Sequence, residues 1–393
     1  MIRCSQCVMP DTRPDVPFTD GVCQACINYA NRPTIDWDAR KAELVALLDR
    51  HEGRCIVPSS GGKDSTYQVM KLLELGADVT VVTASTCHLT KIGRLNIDNL
   101  ARHARTVEVT PNRAIRRKLN RLGLGLVGDI SWPEHVSIFT TPFRAAAAFG
   151  ISLVFYGENP QNQYGGPHGA EEARQLTARW RSEFGGFLGL RPDDMVGQLG
   201  ITERDMDDYQ MPPMLDRELA EAHFLGQYLP WDSHENAKVA AQAGMLQFLP
   251  SSANWWHHEN LDNAQTGIHD AGMYRKFGFG RLAAQVSVDI RSGRMTREQG
   301  LEIVRARDGL FPEVYVGVYV EEVLDRIGMK LPELMAVLGQ FTNWDLFDGV
   351  VNGRPILKEE WRYFDGSPDQ AKDLKFMAGP RMGLDDIPRH HDT

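Results

Sequence analysis

Long apolar runs are missing from this 393-residue chain. No stretch reaches the roughly 18 residues that a membrane-spanning helix needs, and the N-terminus carries paired cysteines where a secretory signal needs a continuous apolar segment. The expected location is the cytoplasm, with no membrane partner. Basic charge is also in deficit: 43 lysines and arginines stand against 52 aspartates and glutamates, a formal net charge of -9. Such a chain lacks the broad positive field that grips a phosphate backbone, so nucleic acid is not the expected substrate. Repeats and low-complexity segments are absent. With 42% hydrophobic and 24% charged residues the composition is that of an ordinary globular protein with room for two or three units.

Cysteine is scarce too, but unevenly so. Four of the six cysteines fall in the first 26 residues, as Cys4 and Cys7, then Cys23 and Cys26. Two CxxC turns at this spacing can present four thiolates, the closed tetrahedral shell of a structural Zn2+. A redox CxxC should open a helix after a strand, and the proline-punctuated RCSQCVMPDTRPD does not. Disulfides are disfavoured in the cytoplasm, and an iron-sulfur cluster is the competing occupant. A closed shell leaves no coordination site for catalysis, so the expected unit is a zinc ribbon, residues 1-35, that serves folding or docking.

The next segment alternates. PTIDWDARKAELVALLDRHEG reads as an Asp-capped helix from Ala39 to about Asp49, and RCIVP as a strand. TYQVMKLLELG is a helix, ADVTVVTAST a β-branched strand, IGRLNIDNLARHA a helix and TVEVT a third strand. NRAIRRKLNRLG and PFRAAAAFG are helices, and ISLVFYGEN is a fourth strand. Near-continuous apolar strands between helices predict an α/β fold, a doubly wound parallel sheet covered on both faces, over residues 36-170. From Gly165 the pattern turns polar, aromatic and proline-rich, and residues 171-393 are expected to form a mostly helical part that meets substrate or partner. His390 and His391 near the end read as solvated terminus.

The first strand runs into SSGGKDS. In a doubly wound sheet the turn from a strand into its helix is a favoured anion site. Gly61 and Gly62 let backbone approach a phosphate, Ser60 and Ser65 add hydroxyl donors, and Lys63 neutralises charge. Asp64 would repel a phosphate unless a cation sits between them, which implies Mg2+. The spacing is not that of a Walker A loop.

SSGGKDS resembles instead the S-G-G-x-D-S loop of the PP-loop ATP pyrophosphatases. With RCSQCVMPDTRPDVPFTDGVCQACIN, FYGENPQNQYGG, ENLDNAQTGIHD, KFGFGR and DIRSGRMTREQGLEIV, it makes the chain resemble the N-acetyl sugar amidotransferases of bacterial surface-polysaccharide synthesis, from the first residues to about residue 350. That resemblance implies an enzyme that adenylates an acetamido oxygen with ATP and lets ammonia displace AMP, leaving an amidine and pyrophosphate. It assigns Ser60, Gly61, Gly62, Lys63, Asp64 and Ser65 to the ATP phosphates. By the same analogy Thr83, Ala84 and Ser85 lie near adenosine, and Gly157, Glu158 and Asn159 line the crevice, with Glu158 joining Lys63 and Asp64 as a catalytic candidate. His168, His269 and Asp270 are weaker candidates. Trp255 to His258 would either stack on a sugar or fill core.

One departure stands out. After KFGFGR the family usually continues Ala-Thr-Asp before a strand-like region, whereas this chain has Leu282, Ala283 and Ala284. If the missing polar groups touch substrate, the amide used here differs from the usual sugar. A built-in glutaminase needs an activated cysteine, and neither Cys55, between Arg54 and Ile56, nor Cys87, between Thr86 and His88, sits on a glycine-flanked elbow. The resemblance implies separate glutaminase and ammonia-channel subunits. An ATP-dependent sulfur transferase of the tRNA thiolase kind, and a non-catalytic nucleotide-binding scaffold, remain as alternatives.

Overall fold

The computed structural model describes residues 1–14, 16–157, 173–177, 185–211 and 220–358. Its centre is a five-stranded parallel sheet. Strands β3 (Arg54–Pro58), β4 (Asp78–Ala84), β5 (Arg105–Val109), β6 (Leu153–Tyr156) and β7 (Glu221–Phe224) lie in the order β5-β4-β3-β6-β7. Two short strands, β1 (Phe18–Thr19) and β2 (Val22–Cys23), form a hairpin in the cysteine-rich N-terminus, and helix α1 (Gln24–Ala30) follows it.

Alternation along each strand explains why both faces are covered. Cys55 and Val57 of β3, with Leu153 and Phe155 of β6, join one core with Leu44, Leu47, Val69 and Leu72. Those last four belong to helices α2 (Trp37–Arg50) and α3 (Lys63–Glu74). Ile56, Val154 and Tyr156 face the other way, onto Phe143 and Ala146 of α6 (Trp132–Phe149). Helices α4 (Lys91–Leu100) and α5 (Arg113–Val127) complete the alternating series. Asp36 caps α2 by accepting from Ala39 N at 3.0 Å, so the Asp-capped helix begins two residues before the Ala39 that the sequence suggests.

Helix α6 contains Pro142, which has no N–H to give the carbonyl four residues back. That carbonyl, on Ile138, accepts instead from the Tyr156 hydroxyl at 3.0 Å, and the bond ties α6 to β6.

The later part is helical: α7 (Ser233–Gln242), α8 (Thr266–Phe277), α9 (Arg281–Arg291), α10 (Arg297–Arg307), α11 (Val320–Arg326) and α12 (Leu331–Gln340). It also supplies β7, which pairs with β6 from Leu153 opposite Glu221 to Tyr156 opposite Phe224. Two antiparallel hairpins, β8 (Val314–Tyr315) with β9 (Val318–Tyr319) and β10 (Phe347–Val351) with β11 (Arg354–Leu357), add strands that the sequence pattern does not announce. VDIR, read as strand-like, lies inside α9. No described helix is long and apolar enough to cross a membrane.

Candidate functional site

The direction of sheet growth reverses at β3: β4 and β5 extend to one side and β6 and β7 to the other. Ligands of open α/β sheets bind beyond the carboxyl ends of the strands at such a reversal. The SSGGKDS loop leaves β3 there, and Ser59 N donates to Val82 O at 2.9 Å, holding the loop against the end of β4.

The loop's shape is fixed from inside. Ser59 Oγ donates to Ser65 Oγ at 2.8 Å and accepts from Gly61 N at 2.9 Å. Gly61 has φ +78°, and a Cβ on it would fall 2.7 Å from Ile97 N. Only glycine fits both demands. Gly62 is the N-cap of α3 and brings no side-chain acceptor for the first turn's amides, which leaves an anion the natural partner of that helix end. Ser60 is exposed at the loop tip.

Lys63 and Asp64 meet polar side chains from the later part of the chain. Lys63, 3% exposed, donates to Asp64 Oδ2 at 2.6 Å and to Glu259 Oε1 at 3.5 Å. Asn236 of α7 donates from Nδ2 to Asp64 Oδ1 at 2.9 Å. Gln285 of α9 donates to Glu259 Oε2 at 2.7 Å, while its Oε1 accepts from Trp255 N and Trp256 N. Burial would raise the Glu259 carboxyl, but the charges of Lys63 and Arg281 and the Gln285 donor hold it below the usual range.

Glu259 reaches the loop because its segment is stitched over the end of β4. Thr90 N donates to Asp262 O, Ala264 N donates to His88 O, and Leu89 bridges Asn263. Nearby His258 stacks on Trp256, with ring centroids 5.3 Å apart, and burial followed by the Lys63 charge pushes it down to about 4. The imidazole is therefore neutral, and its buried Nε2 has no partner; Oδ1 of Asn236 is likewise buried and unpartnered. Trp256 is buried and Trp255 half-buried, and both indole N–H groups donate to Asp289 Oδ2 at 3.0 Å, while Asp289 Oδ1 accepts from Arg294 Nε at 3.0 Å.

The other predicted residues divide. Thr83 is buried with its hydroxyl unpartnered, and Ser85 Oγ pairs with Thr110 Oγ1 at 2.9 Å. Both, with Ala84, stand at the end of β4 beside the loop. Gly157 ends β6 at the same edge, but it packs on Trp231, whose ring would lie 3.0 Å from a Cβ there. Glu158, Asn159, His168, His390 and His391 lie outside the described residues. Asp270 is clamped by Arg281 Nε at 2.9 Å to both oxygens, and His269 faces Asp129. Leu282, Ala283 and Ala284 are 0%, 1% and 3% exposed and pack with the cysteine knuckles.

Sequence reasoning missed Asn236, Glu259 and Gln285. The only local signal was a glutamate directly after the WWHH string.

At the N-terminus the four cysteines are buried and their sulfurs all lie within 4.8 Å of one another. Cys4 Sγ is 3.8 Å from Cys26 Sγ, and Cys7 Sγ is 3.7 Å from Cys23 Sγ. A disulfide needs about 2.05 Å. Thiolates bonded at ~2.3 Å to one tetrahedral ion stand about 3.8 Å apart, which these pairs match. Thiolates that each hold a different iron of a cluster would be spread more widely. Amides of Gln6, Cys7 and Cys23 point at Cys4 Sγ from 3.3 to 3.5 Å, as anionic sulfur requires.

No curated protein matches the chain. Residues 248–353, which carry Trp256, His258, Glu259, His269 and Gln285, are similar to a family described as LPS biosynthesis protein WbpG-like, C-terminal domain. That match gives the part of the chain facing Lys63 a lipopolysaccharide-biosynthesis context.

Proposed function

We propose that the chain is an AMP-forming, ATP-dependent amidotransferase that converts an acetamido group of a sugar nucleotide or related precursor into an acetamidino group. One observation carries the reading: the SSGGKDS loop, bent by Gly61 onto the backbone of Ile97, stands at the sheet reversal with Lys63 and Asp64 turned toward Glu259 and Asn236. The match of residues 248–353 to a lipopolysaccharide-biosynthesis family supports a glycan precursor as substrate.

ATP phosphates would rest on the first-turn amides of α3, with Ser60 and Ser65 near them and Lys63 neutralising charge. Asp64 would hold Mg2+, whose charge offsets that of the phosphates. With both Asp64 oxygens now accepting from Lys63 and Asn236, taking up the cation would release the Lys63 ammonium toward phosphate. The amide oxygen then attacks the α-phosphorus, forming one P–O bond as pyrophosphate leaves with its bonding pair. Ammonia adds to the activated carbon, AMP departs with the C–O pair, and the proton that the new C–N bond must shed passes to solvent or to a second ammonia. Four thiolates at tetrahedral spacing would bind Zn2+ and fasten the N-terminus to α9 and α10.

The sulfur-transferase alternative is disfavoured by the remaining thiols. Burial and then Asp78 push Cys55 up to about 12, and burial and then Glu134 push Cys87 up to about 11, so neither is a ready thiolate. The test is a heavy-oxygen label on the amide of an N-acetylated sugar nucleotide, with ATP and ammonium. Label in AMP, with pyrophosphate as co-product, supports the proposal; ADP and phosphate as products overturn it.

A further inference from the structure

A second set of metal-ligand side chains lies apart from the loop and the cysteines. Asp129, between α5 and α6, is nearly fully buried and faces two imidazoles from different helices, His135 on α6 and His269 on α8. His269 Nδ1 is 2.8 Å from Asp129 Oδ1, and His135 Nδ1 is 3.5 Å from Asp129 Oδ2. The three ligand atoms all fall within 4.8 Å of one another.

We propose that Asp129, His135 and His269 form a binding site for a divalent first-row transition ion such as zinc, manganese or ferrous iron. A hydrogen-bonded network alone would draw both imidazoles to about 2.9 Å from the carboxylate. His269 is that close to Asp129 Oδ1, while His135 Nδ1 hydrogen-bonds Gly186 O at 3.4 Å and lies 3.5 Å from Asp129 Oδ2. Ligands bonded at ~2.1 Å to one ion are about 3.0 Å apart in octahedral and about 3.4 Å apart in tetrahedral geometry, and small side-chain rotations would bring the 2.8 Å and 3.5 Å pairs onto that spacing. Two nitrogens and one carboxylate oxygen select transition ions over Mg2+ or Ca2+.

The surroundings orient the set. Ser131 N donates to Asp129 Oδ1 at 2.9 Å, fixing the carboxylate from behind, as outer partners of metal ligands do. Gly186, at φ +75°, brings bare backbone to the ring, and a Cβ there would sit 3.1 Å from His135 Nδ1. The Lys276 ammonium, close enough for its charge to interact with Asp129, donates to Val127 O at 2.6 Å. Both imidazoles are partly exposed, at 26% and 23%, so three protein ligands leave coordination positions open toward solvent. This is the arrangement of a reactive centre or a ligand-binding ion, unlike the closed thiolate shell. It stands independently of the amidotransferase reading.

The test uses the untagged full chain reconstituted with cobalt(II). Two equivalents should bind, one with the intense visible and near-ultraviolet bands of thiolate ligation and one with the weak visible band of nitrogen and oxygen ligation. His135→Ala and His269→Ala should each lose the weak-band equivalent and keep the thiolate one. The double change His390→Ala, His391→Ala should keep both. A wild type that binds a single equivalent overturns the site, whether or not the variants fold. So does a second equivalent that persists in both single-histidine variants, or one that disappears with the tail histidines.

Discussion

The ammonium of Lys63 sits 3.5 Å from Glu259 Oε1, across 196 positions of sequence. The pair joins the strand-to-helix loop to the segment that closes over it, and Lys63 also neutralises Asp64. Removing one partner of a buried ion pair leaves an uncompensated charge at a cost of about 3–5 kcal/mol. Lys63→Met should therefore lower the urea midpoint strongly. Glu259→Gln in the same chain should restore part of that loss, because one stranded carboxylate is gone. ATP consumption should stay absent in both. Equal midpoints for Lys63→Met and wild type would show that the pair carries no stability.

Gly61 tests the loop without touching a charged atom. Gly61→Ala puts a Cβ 2.7 Å from Ile97 N at a backbone φ of +78°. Strain of about 1–3 kcal/mol follows, and the loop can relieve it only by moving off α4. The expected result is a modest loss of stability with a much larger loss of ATP affinity, measured by calorimetric titration. Gly53→Ala is the control: its φ is +71°, yet nothing lies within 4 Å of a Cβ there. That variant should keep ATP affinity.

Much of this arrangement was legible in the sequence, and the rest was hidden for physical reasons. β3, β4 and β6 are buried on both faces, so their apolar runs identify them and the SSGGKDS loop between strand and helix. An aspartate cap announced α2, although the capping residue is Asp36 and the helix starts at Trp37. β7 is an edge strand of four residues, EAHF, whose identity comes from pairing with β6 and not from its own pattern. The Asp129, His135 and His269 set escaped detection because its members lie on three separate segments that only tertiary packing unites. Adjacent tryptophans differ in burial, Trp256 buried and Trp255 half-buried, because tertiary packing decides it and not their shared local pattern.

His258 gives a pH signature with a definite sign. Its folded value, about 4, lies below the unfolded imidazole's, so between about pH 6.5 and 4 the unfolded chain binds more protons. Stability attributable to His258 is intact above that window and falls as pH falls through it. His258→Asn should remove the effect, and the wild-type loss of stability between pH 7 and 4.5 should exceed the variant's by about 2 kcal/mol. Denaturant unfolding at the two pH values measures this difference. A variant that loses as much as wild type would mean that His258 is charged when folded.

At the N-terminus, Cys23→Ser should remove the thiolate-bound ion and several kcal/mol of stability, since structural zinc supplies folding energy directly. The effect should spread beyond the ribbon, because the cysteines pack with Leu282, Ala283 and Val286 of α9. Loss of the α9 signals in hydrogen exchange would report it. A Cys23→Ser chain with unchanged metal content and exchange would remove the four-thiolate site.

The last prediction concerns the source of nitrogen. A glutaminase cysteine must be a reactive thiolate, and the two candidates outside the ribbon are the reverse: burial pushes Cys55 up to about 12 and Cys87 up to about 11. Cys55 points into the sheet core, 0% exposed. The isolated chain should therefore use ammonium at high concentration and leave glutamine untouched. Free ammonia is scarce at neutral pH, so a partner that releases it beside the activated amide would raise its effective concentration and shield the intermediate from water. Cys55→Ala and Cys87→Ala should each keep ammonium-dependent turnover, with Cys55→Ala somewhat less stable for its lost core volume. Glutamine-dependent turnover should appear only when a separate glutaminase is added. Glutamine hydrolysis by the chain alone, abolished by either cysteine change, would overturn this division of labour.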